Sequence, residues 1–150
     1  MPGSGKSTIG KFLETDNYTF IDTDEEIENQ CGCTIKELIQ SKGEPYFREL
    51  ETKVIKDISS KNCQIISTGG GAILNKENIR CLKRNGKIFF INAKLSRLCA
   101  TEDRPLSNTK EKLTQLYEQR ISTYISTADV IVPDMATPQE EADYILMERN

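Results

Sequence analysis

The first eight residues have the composition and spacing of a loop that binds phosphate groups. They read Met-Pro-Gly-Ser-Gly-Lys-Ser-Thr, and their last residues match the G-K-[ST] close of the phosphate-loop pattern. Gly3 and Gly5 allow backbone angles at which successive N–H groups turn toward phosphate oxygens. Lys6 can reach the terminal phosphates of a nucleotide, and the Ser7 hydroxyl can ligate Mg²⁺. The alternative interpretation is a flexible terminus rich in glycine and serine.

Three further clusters lie where predicted strands end or in a polar loop: Asp22-Thr23-Asp24, Gly69-Gly70-Gly71 and Arg104-Pro105. Ligands of parallel α/β sheets bind at the carboxyl ends of the strands, so these positions suit a binding site. Each cluster alone is weak evidence. Asp-x-Asp is often only a helix cap, a glycine triplet can be a turn, and an arginine in a loop is usually solvated.

Two arginines on predicted helices add candidate ligands. Arg48 and Arg120 are most simply exposed helical charges. Arg48 and Glu51 lie three residues apart, so they share a helix face that differs from the apolar stripe of the same helix. That stripe comprises Phe47, Leu50, Val54 and Ile58, which step by three and four residues.

The elements that must position these residues alternate between strands and helices. The pattern predicts strands at 18–21, 64–68, 87–92 and 129–132, and helices at 7–13, 23–30, 44–59, 75–84, 94–100 and 110–126. Two more helices begin after Thr34 and Thr137. Such alternation indicates an α/β domain with a parallel sheet. The continuous apolar run at 87–92 predicts a strand that is covered on both faces.

Threonine and glutamate recur three residues apart at predicted helix starts, which is the signature of a capping box. The pairs are Thr23 with Glu26, Thr34 with Glu37, and Thr137 with Glu140.

Composition excludes several classes of protein. The chain has 150 residues, 37% of them hydrophobic and 29% charged, which suits one globular domain. A net charge of −3 and a pI of about 5.2 argue against a general nucleic-acid binder. No apolar run approaches the ~20 residues of a membrane span, and no secretion signal follows Met1. Five cysteines and no histidine predict reduced thiols in the cytoplasm rather than a metal or disulfide framework.

Taken together and in order, these features resemble shikimate kinases. The shared features are Gly-Ser-Gly-Lys-Ser-Thr at 3–8, Phe20-Ile21-Asp22-Thr23-Asp24 with Ile27-Glu28, Phe47-Arg48 with Glu51, Gly69-Gly70-Gly71-Ala72, Arg104-Pro105-Leu106, and Arg120 with Tyr124. The resemblance spans almost the whole chain and is far more specific than the phosphate loop alone.

The resemblance implies a three-layer α/β/α phosphate-loop kinase fold with a mostly parallel central sheet. Residues 1–150 would form a single domain, with a substrate-binding helical part at about 24–60 and a mobile lid at about 101–110. The implied reaction is ATP-dependent phosphorylation of the 3-hydroxyl of shikimate, on the pathway to chorismate and aromatic amino acids. The implied cofactor is Mg²⁺, and the implied protein is a cytoplasmic monomer that binds neither nucleic acid nor membranes.

On the donor side, the resemblance implies that Lys6 holds the transferring phosphoryl group. Ser7 ligates Mg²⁺, and Asp22 assists. Arg104, on the lid, closes over the phosphates, and Arg97 is a second arginine near the nucleotide. The ATP-binding set is completed by Gly3, Ser4, Gly5 and Thr8. The adenine would pack beside residues 134–138.

On the acceptor side, the resemblance implies that Asp24 binds hydroxyls of shikimate and accepts the proton of the attacking one. Arg48 and Arg120 would clamp the shikimate carboxylate, a role that suits the planar, bidentate guanidinium better than an ammonium. Gly70 would offer its backbone N–H to the substrate, with Gly69 and Gly71 beside it.

Two alternatives remain open. Another small kinase of the same architecture, acting on gluconate or a nucleoside monophosphate, would share the phosphate loop. A non-catalytic nucleotide-binding remnant is the second, because a phosphate loop normally follows a buried strand and this chain begins at the loop. In shikimate kinases that strand lies in the middle of the sheet. We therefore expect a chain shortened by ~10 residues, about one strand and a connection; the simpler expectation is a complete chain that tolerates the gap.

Overall fold

The structure is a computed structural model that describes residues 1–98 and 109–149. The loop predicted at 101–108, Arg104, and all of the expected lid except its last two residues lie outside the described residues. Within the described ranges, no helix is both long and apolar enough to cross a bilayer.

Helices and strands alternate along the described chain, as predicted. The strands are β1 Thr19–Asp22, β2 Gln64–Ser67, β3 Phe89–Ile91 and β4 Val130–Val132. The helices are α1 Lys6–Leu13, α2 Thr23–Cys31, α3 Ile35–Lys42, α4 Glu44–Ile58, α5 Lys76–Lys83, α6 Lys110–Thr127 and α7 Pro138–Glu148.

The strands form two parallel pairs, which confirms the parallel arrangement. β1 pairs with β2 so that Asp22 lies opposite Ser67, and β3 pairs with β4 so that Ile91 lies opposite Val132. Among the described residues the two pairs are not hydrogen-bonded to each other. The acidic cluster after β1 and the glycine triplet after β2 therefore leave the same edge of one pair.

Helices cover both faces of the strands, as the apolar run at 87–92 predicts. Phe90 packs with α6 residues such as Leu113 and Tyr124. Its neighbour Ile91 points the other way and packs with residues of α1, β4 and α7. A third cluster joins α2, α3 and α4, in which Phe47, Val54 and Ile58 are buried and Leu50 is half-buried. This burial confirms the predicted stripe of α4 and the three-layer architecture.

Two of the three predicted capping boxes are present. Thr34 with Glu37 caps α3, and Thr137 with Glu140 caps α7. The box predicted at Thr23 is wrong, because Asp22 is the residue that caps α2 and accepts a hydrogen bond from the Asp24 N–H. β1 runs directly into α2, so Asp22 is the last extended residue and Thr23 is already helical and fully buried.

The short helix predicted at 94–100 is also wrong where the structure describes it. Leu95–Arg97 form only a 3₁₀ turn, and Leu98 returns to an extended conformation. A single turn gains too few hydrogen bonds to offset the cost of starting an α-helix. Arg97 is instead bonded to residues beyond β4.

Candidate active site

The phosphate loop turns sharply at its glycines and leads directly into α1. Gly3 and Gly5 have φ values of 72° and 84°, in the left-handed region that favours glycine. Lys6 Nζ donates to the Met1 carbonyl at 2.6 Å, and Ser4 Oγ donates to the same carbonyl at 3.0 Å. The loop is thus closed on itself, and its ammonium group lies at the positive end of the α1 dipole.

Asp22 joins the phosphate loop to the start of α2. The Ser7 hydroxyl donates to Asp22 Oδ2 at 2.7 Å, and Asp22 Oδ1 accepts the Asp24 N–H at 2.9 Å. The two residues predicted to hold Mg²⁺ are therefore in contact. Both supply hard oxygen ligands, which Mg²⁺ prefers.

The residues around Asp22 fit a magnesium ion held mainly by phosphates and water. Within residues 1–98 and 109–149, no cluster of three or more acidic, cysteine or histidine side chains could hold a metal on its own. Mg²⁺ at phosphoryl-transfer sites is commonly bound through one or two protein oxygens together with substrate phosphates. Ser7 and Asp22 match that smaller protein contribution.

The glycine triplet is a junction where three parts of the site meet. A Cβ on Gly69 would lie 2.8 Å from both Asp24 Oδ1 and Glu51 Oε1. A Cβ on Gly70 would lie 2.8 Å from the Pro2 ring, and one on Gly71 would overlap the Arg48 guanidinium. A side chain at any of these positions would therefore displace another part of the site. The triplet is not merely a turn.

Arg48 is held against Gly71 by two carboxylates of its own helix. Its guanidinium contacts Glu44 at 3.0 Å and Glu51 at 2.9 Å. The contact with Glu51 confirms that the two residues share a face of α4. Burial by itself lowers the pKa of Arg48, but the two carboxylates outweigh that effect and keep the group cationic. The planar end of Arg48 is thereby fixed in direction.

Glu51 is a buried acid that the sequence did not reveal as such. Its side chain is 1% exposed, and Oε1 has no hydrogen-bond partner in the described part of the chain. Burial raises the pKa of Glu51, the Arg48 charge partly offsets this, and the nearby Asp24 carboxylate raises the pKa further. Spacing on α4 predicted the Arg48 contact, but burial depends on the approach of Gly69 from a distant part of the chain.

Arg120 is not the exposed helical arginine that its sequence context suggests. Only 8% of the residue is exposed, and its Nη1 donates to the Gly70 carbonyl at 3.2 Å. The Tyr124 hydroxyl donates to the same carbonyl. α6 packs this face against β3, where the Tyr124 ring stacks on Phe90 with centroids 5.1 Å apart. Tyr124 has no predicted role from its sequence, although its four-residue spacing from Arg120 places both on one face.

Arg97 follows β3 and contacts the connection after β4. Its guanidinium contacts Asp134 and the Met135 carbonyl, and lies 3.7 Å from Glu141. Burial raises the pKa of Asp134, but the Lys94 N–H and Arg97 outweigh it and the pKa is lowered. Arg97 is therefore beside residues 134–138, the segment predicted to pack against adenine.

The predicted residues thus fall into two adjoining groups. The donor group comprises Gly3, Ser4, Gly5, Lys6, Ser7, Thr8 and Asp22, and the acceptor group comprises Asp24, Arg48, Gly69, Gly70, Gly71 and Arg120. Pro2 against Gly70 and the Asp22–Asp24 hydrogen bond join the two groups. Arg97 is separate, and Arg104 is outside the described residues.

Comparisons with known proteins agree on one family. A sequence model of the shikimate kinase family matches residues 2–149. A shikimate kinase of Sulfurihydrogenibium sp. is 41% identical over 150 residues, which cover 96% of this chain and 90% of that protein. One from Caldicellulosiruptor bescii is 40% identical over 152 residues, with 96% and 88% covered.

Solved structures give the same result. Shikimate kinase from Acinetobacter baumannii in complex with shikimate superposes with a TM-score of 0.89 at 31% identity, over 97% of this chain and 87% of that one. The Aquifex aeolicus shikimate kinase superposes with a TM-score of 0.83 at 38% identity, over 97% and 89%.

Proposed function

The chain belongs to the shikimate kinase family, and we propose that it transfers the terminal phosphoryl group of ATP to the 3-hydroxyl of shikimate. The products are shikimate 3-phosphate and ADP, on the route to chorismate and aromatic amino acids. The observation that supports this most is the glycine triplet, because it brings the phosphate loop, Asp24 and Arg48 against three consecutive residues. A phosphate donor and a hydroxylated carboxylate can therefore meet at one place.

The phosphate loop supplies positioning and positive charge on the donor side. Phosphoryl transfer needs these more than covalent chemistry, since its transition state is loose and its charge is spread over oxygens. Lys6 neutralises the transferring group, and the backbone N–H groups from Gly3 to Thr8 bind the other phosphate oxygens. Bound Mg²⁺ would neutralise charge on the phosphates. Ser7 and Asp22 are the residues that would hold it.

Arg48 and Arg120 bind the carboxylate of the acceptor. Both side chains end at the glycine triplet, Arg48 against Gly71 and Arg120 at the Gly70 carbonyl. Two planar guanidinium groups there match the geometry of a carboxylate. The Gly70 N–H makes no hydrogen bond within the described residues, which supports its role as a further donor to the substrate.

Asp24 orients the acceptor hydroxyl and takes its proton. The carboxylate lies beside Gly69, and Asp24 follows the Asp22 that contacts Ser7 by two residues. In phosphoryl transfer such an aspartate accepts the hydroxyl proton while the nucleophile attacks the phosphorus. The absence of histidine from the sequence is no obstacle, because this carboxylate meets the requirement.

Arg104 and Arg97 act on the nucleotide. We expect Arg104 to cover the phosphates from the lid at about 101–110, which limits wasteful reaction of ATP with water. Arg97 stays a predicted nucleotide residue, supported by its contact with the Asp134–Met135 segment.

The cellular setting also stays a prediction. The net charge of −3 and the pI of about 5.2 argue against nucleic-acid binding. We predict a cytoplasmic monomer that does not bind membranes.

A coupled assay of ADP release tests the function against its nearest rivals. Wild-type protein is given MgATP with shikimate, gluconate or AMP in parallel. We expect turnover with shikimate alone, because the Arg48–Arg120 pair with Asp24 suits a small hydroxylated carboxylate. Turnover with gluconate or AMP and none with shikimate would overturn the assignment. The absence of turnover with all three would favour a nucleotide-binding remnant.

A further inference from the structure

Thr23 is a buried polar residue between the two aspartates, and the reaction as described assigns it no role. Its side chain is 0% exposed. Its Oγ1 accepts the Gly69 N–H at 3.1 Å, across 46 residues of sequence. The residue between the metal-side Asp22 and the acceptor-side Asp24 therefore fixes the first glycine of the triplet.

Tyr124 holds the next glycine from the opposite direction. Its hydroxyl donates to the Gly70 carbonyl. Burial raises the pKa of Tyr124, so the hydroxyl keeps its proton and remains a donor at neutral pH. The parallel stack on Phe90, with 4° between the ring planes, limits the movement of the ring.

Between these two contacts lies the Gly69–Gly70 peptide. Its carbonyl, Gly69 O, accepts the Ala72 N–H at 3.1 Å. The N–H of a trans peptide points away from its carbonyl, so this bond also sets the direction of the Gly70 N–H. That N–H has no hydrogen-bond partner among the described residues. The backbone is thus held on both sides of the Gly70 N–H.

We propose that Thr23 and Tyr124 are positioning residues for the acceptor substrate, whose hydroxyls hold the peptides on either side of the Gly70 N–H and so present it in a fixed direction. The inference rests on the proposed function and extends it. Glycine has more backbone freedom than any other residue, so three in succession would adopt many conformations without external contacts. The two hydroxyls limit that freedom, together with Arg120, whose Nη1 donates to the same Gly70 carbonyl as Tyr124.

Four variants test the proposal: Thr23→Val, Thr23→Ser, Tyr124→Phe and the Thr23→Val/Tyr124→Phe double variant. Valine and phenylalanine keep the shape and remove the hydrogen bond. We expect each single loss to raise the KM for shikimate about three- to ten-fold, the range that one hydrogen bond supports. The KM for ATP should change by less than about two-fold, and Thr23→Ser should restore wild-type behaviour.

The double variant asks whether both hydroxyls act on the same segment. If losing either one frees the Gly70 N–H, the second loss adds little. The KM increase should then be smaller than the product of the two single increases. Should Thr23→Val fail to fold, Tyr124→Phe and Thr23→Ser still decide the proposal.

Thr127→Val and Tyr144→Phe are the matched controls. Thr127 is a buried threonine with 8% exposure, and Tyr144 packs in the cluster of α1, β4 and α7. A merely structural role for Thr23 and Tyr124 predicts a lower melting temperature with both KM values unchanged, as in the controls. That result, or equal increases in both KM values, would overturn the proposal. Wild-type protein that fails to turn over shikimate would instead remove the proposed function on which it rests.

Discussion

At the scale of single residues, the site depends on side chains that serve two neighbours at once. Asp22 accepts from Ser7 with one oxygen and from the Asp24 N–H with the other. Arg48 bridges Glu44 and Glu51 while lying against Gly71. Changing Asp22 therefore disturbs both the donor and the acceptor group, and changing Arg48 disturbs α4 and the glycine triplet together.

Arg48→Lys tests the carboxylate clamp. Lysine keeps the positive charge but cannot bond Glu44, Glu51 and a substrate carboxylate with one planar group. We expect the KM for shikimate to rise about ten-fold or more, with the KM for ATP nearly unchanged. The matched control is Arg80→Lys on α5, where an exposed arginine contacts Glu77. Steady-state kinetics measure both constants, and an unchanged shikimate KM in Arg48→Lys would contradict the clamp.

Glu51→Gln tests the buried acid through the pH dependence of stability. Burial raises the folded-state pKa of Glu51 above 4.5, its ordinary value. Between those two pKa values the folded state binds more protons than the unfolded state. Rising pH therefore lowers the free energy of unfolding. Glutamine does not titrate, so we expect wild type to lose stability relative to Glu51→Gln as pH rises through this window.

Urea unfolding of both proteins from about pH 4 to about pH 7 measures that difference in stability. Arg48, Asp24 and Arg120 are the charged groups that act on Glu51, and they are present in both proteins. Glu49→Gln, at an exposed position of α4, is the control. A wild-type stability that stays constant or increases relative to the variant would show that the buried ion pair favours the ionised acid.

The sequence predicted which residues belong to the site better than it predicted their burial and contacts. The glycines, Asp22, Asp24 and the two arginines carry recognisable chemistry in recognisable order. The burial of Arg120 and Glu51, and the contacts of Thr23 and Tyr124, arise from residues on other elements of the fold. Local spacing contains no information on such contacts.

At the scale of elements, capping sequences predicted the helix starts correctly where the capping residues make no contacts with distant parts of the chain. The capping boxes of α3 and α7 form as expected. The one at Thr23 does not form because Asp22 caps α2, and the Thr23 hydroxyl bonds Gly69. In the described part of the helix expected at 94–100, only a 3₁₀ turn forms. Arg97 of this turn bonds the β4–α7 connection. Both errors occur beside the site, where tertiary contacts override local preference.

Gly10→Ala tests the packing of α1 on β1. Alanine favours a helix by ~1 kcal/mol over glycine, but a Cβ at Gly10 would overlap the Phe20 ring. Overpacking of this kind costs ~1–3 kcal/mol. We expect a net loss of stability, seen as a lower urea midpoint. Lys11→Ala, at the exposed neighbouring position, should change stability by less than ~0.5 kcal/mol. A more stable Gly10→Ala protein would contradict the close packing.

At the scale of the whole molecule, two parallel strand pairs and their helices pack into three apolar clusters. The α/β class and the parallel pairing were predictable from the alternation of strands and helices along the sequence. The division of the apolar residues among three clusters was not, because it depends on which face of the sheet each strand residue occupies. β1 and β2 lead the acidic cluster and the glycine triplet to one edge. Asp22 and Asp24 lie near the glycine triplet because β1 and β2 are parallel neighbours.

Identifying the product formed from MgATP and shikimate tests the central claim most directly. Wild-type protein is incubated with both substrates, with Lys6→Ala as the control, and the products are analysed by mass spectrometry. We expect shikimate to gain one phosphoryl group for each ADP formed. Lys6→Ala should form neither product while binding shikimate within a few-fold of wild type. ADP formation without phosphorylated shikimate would contradict the account.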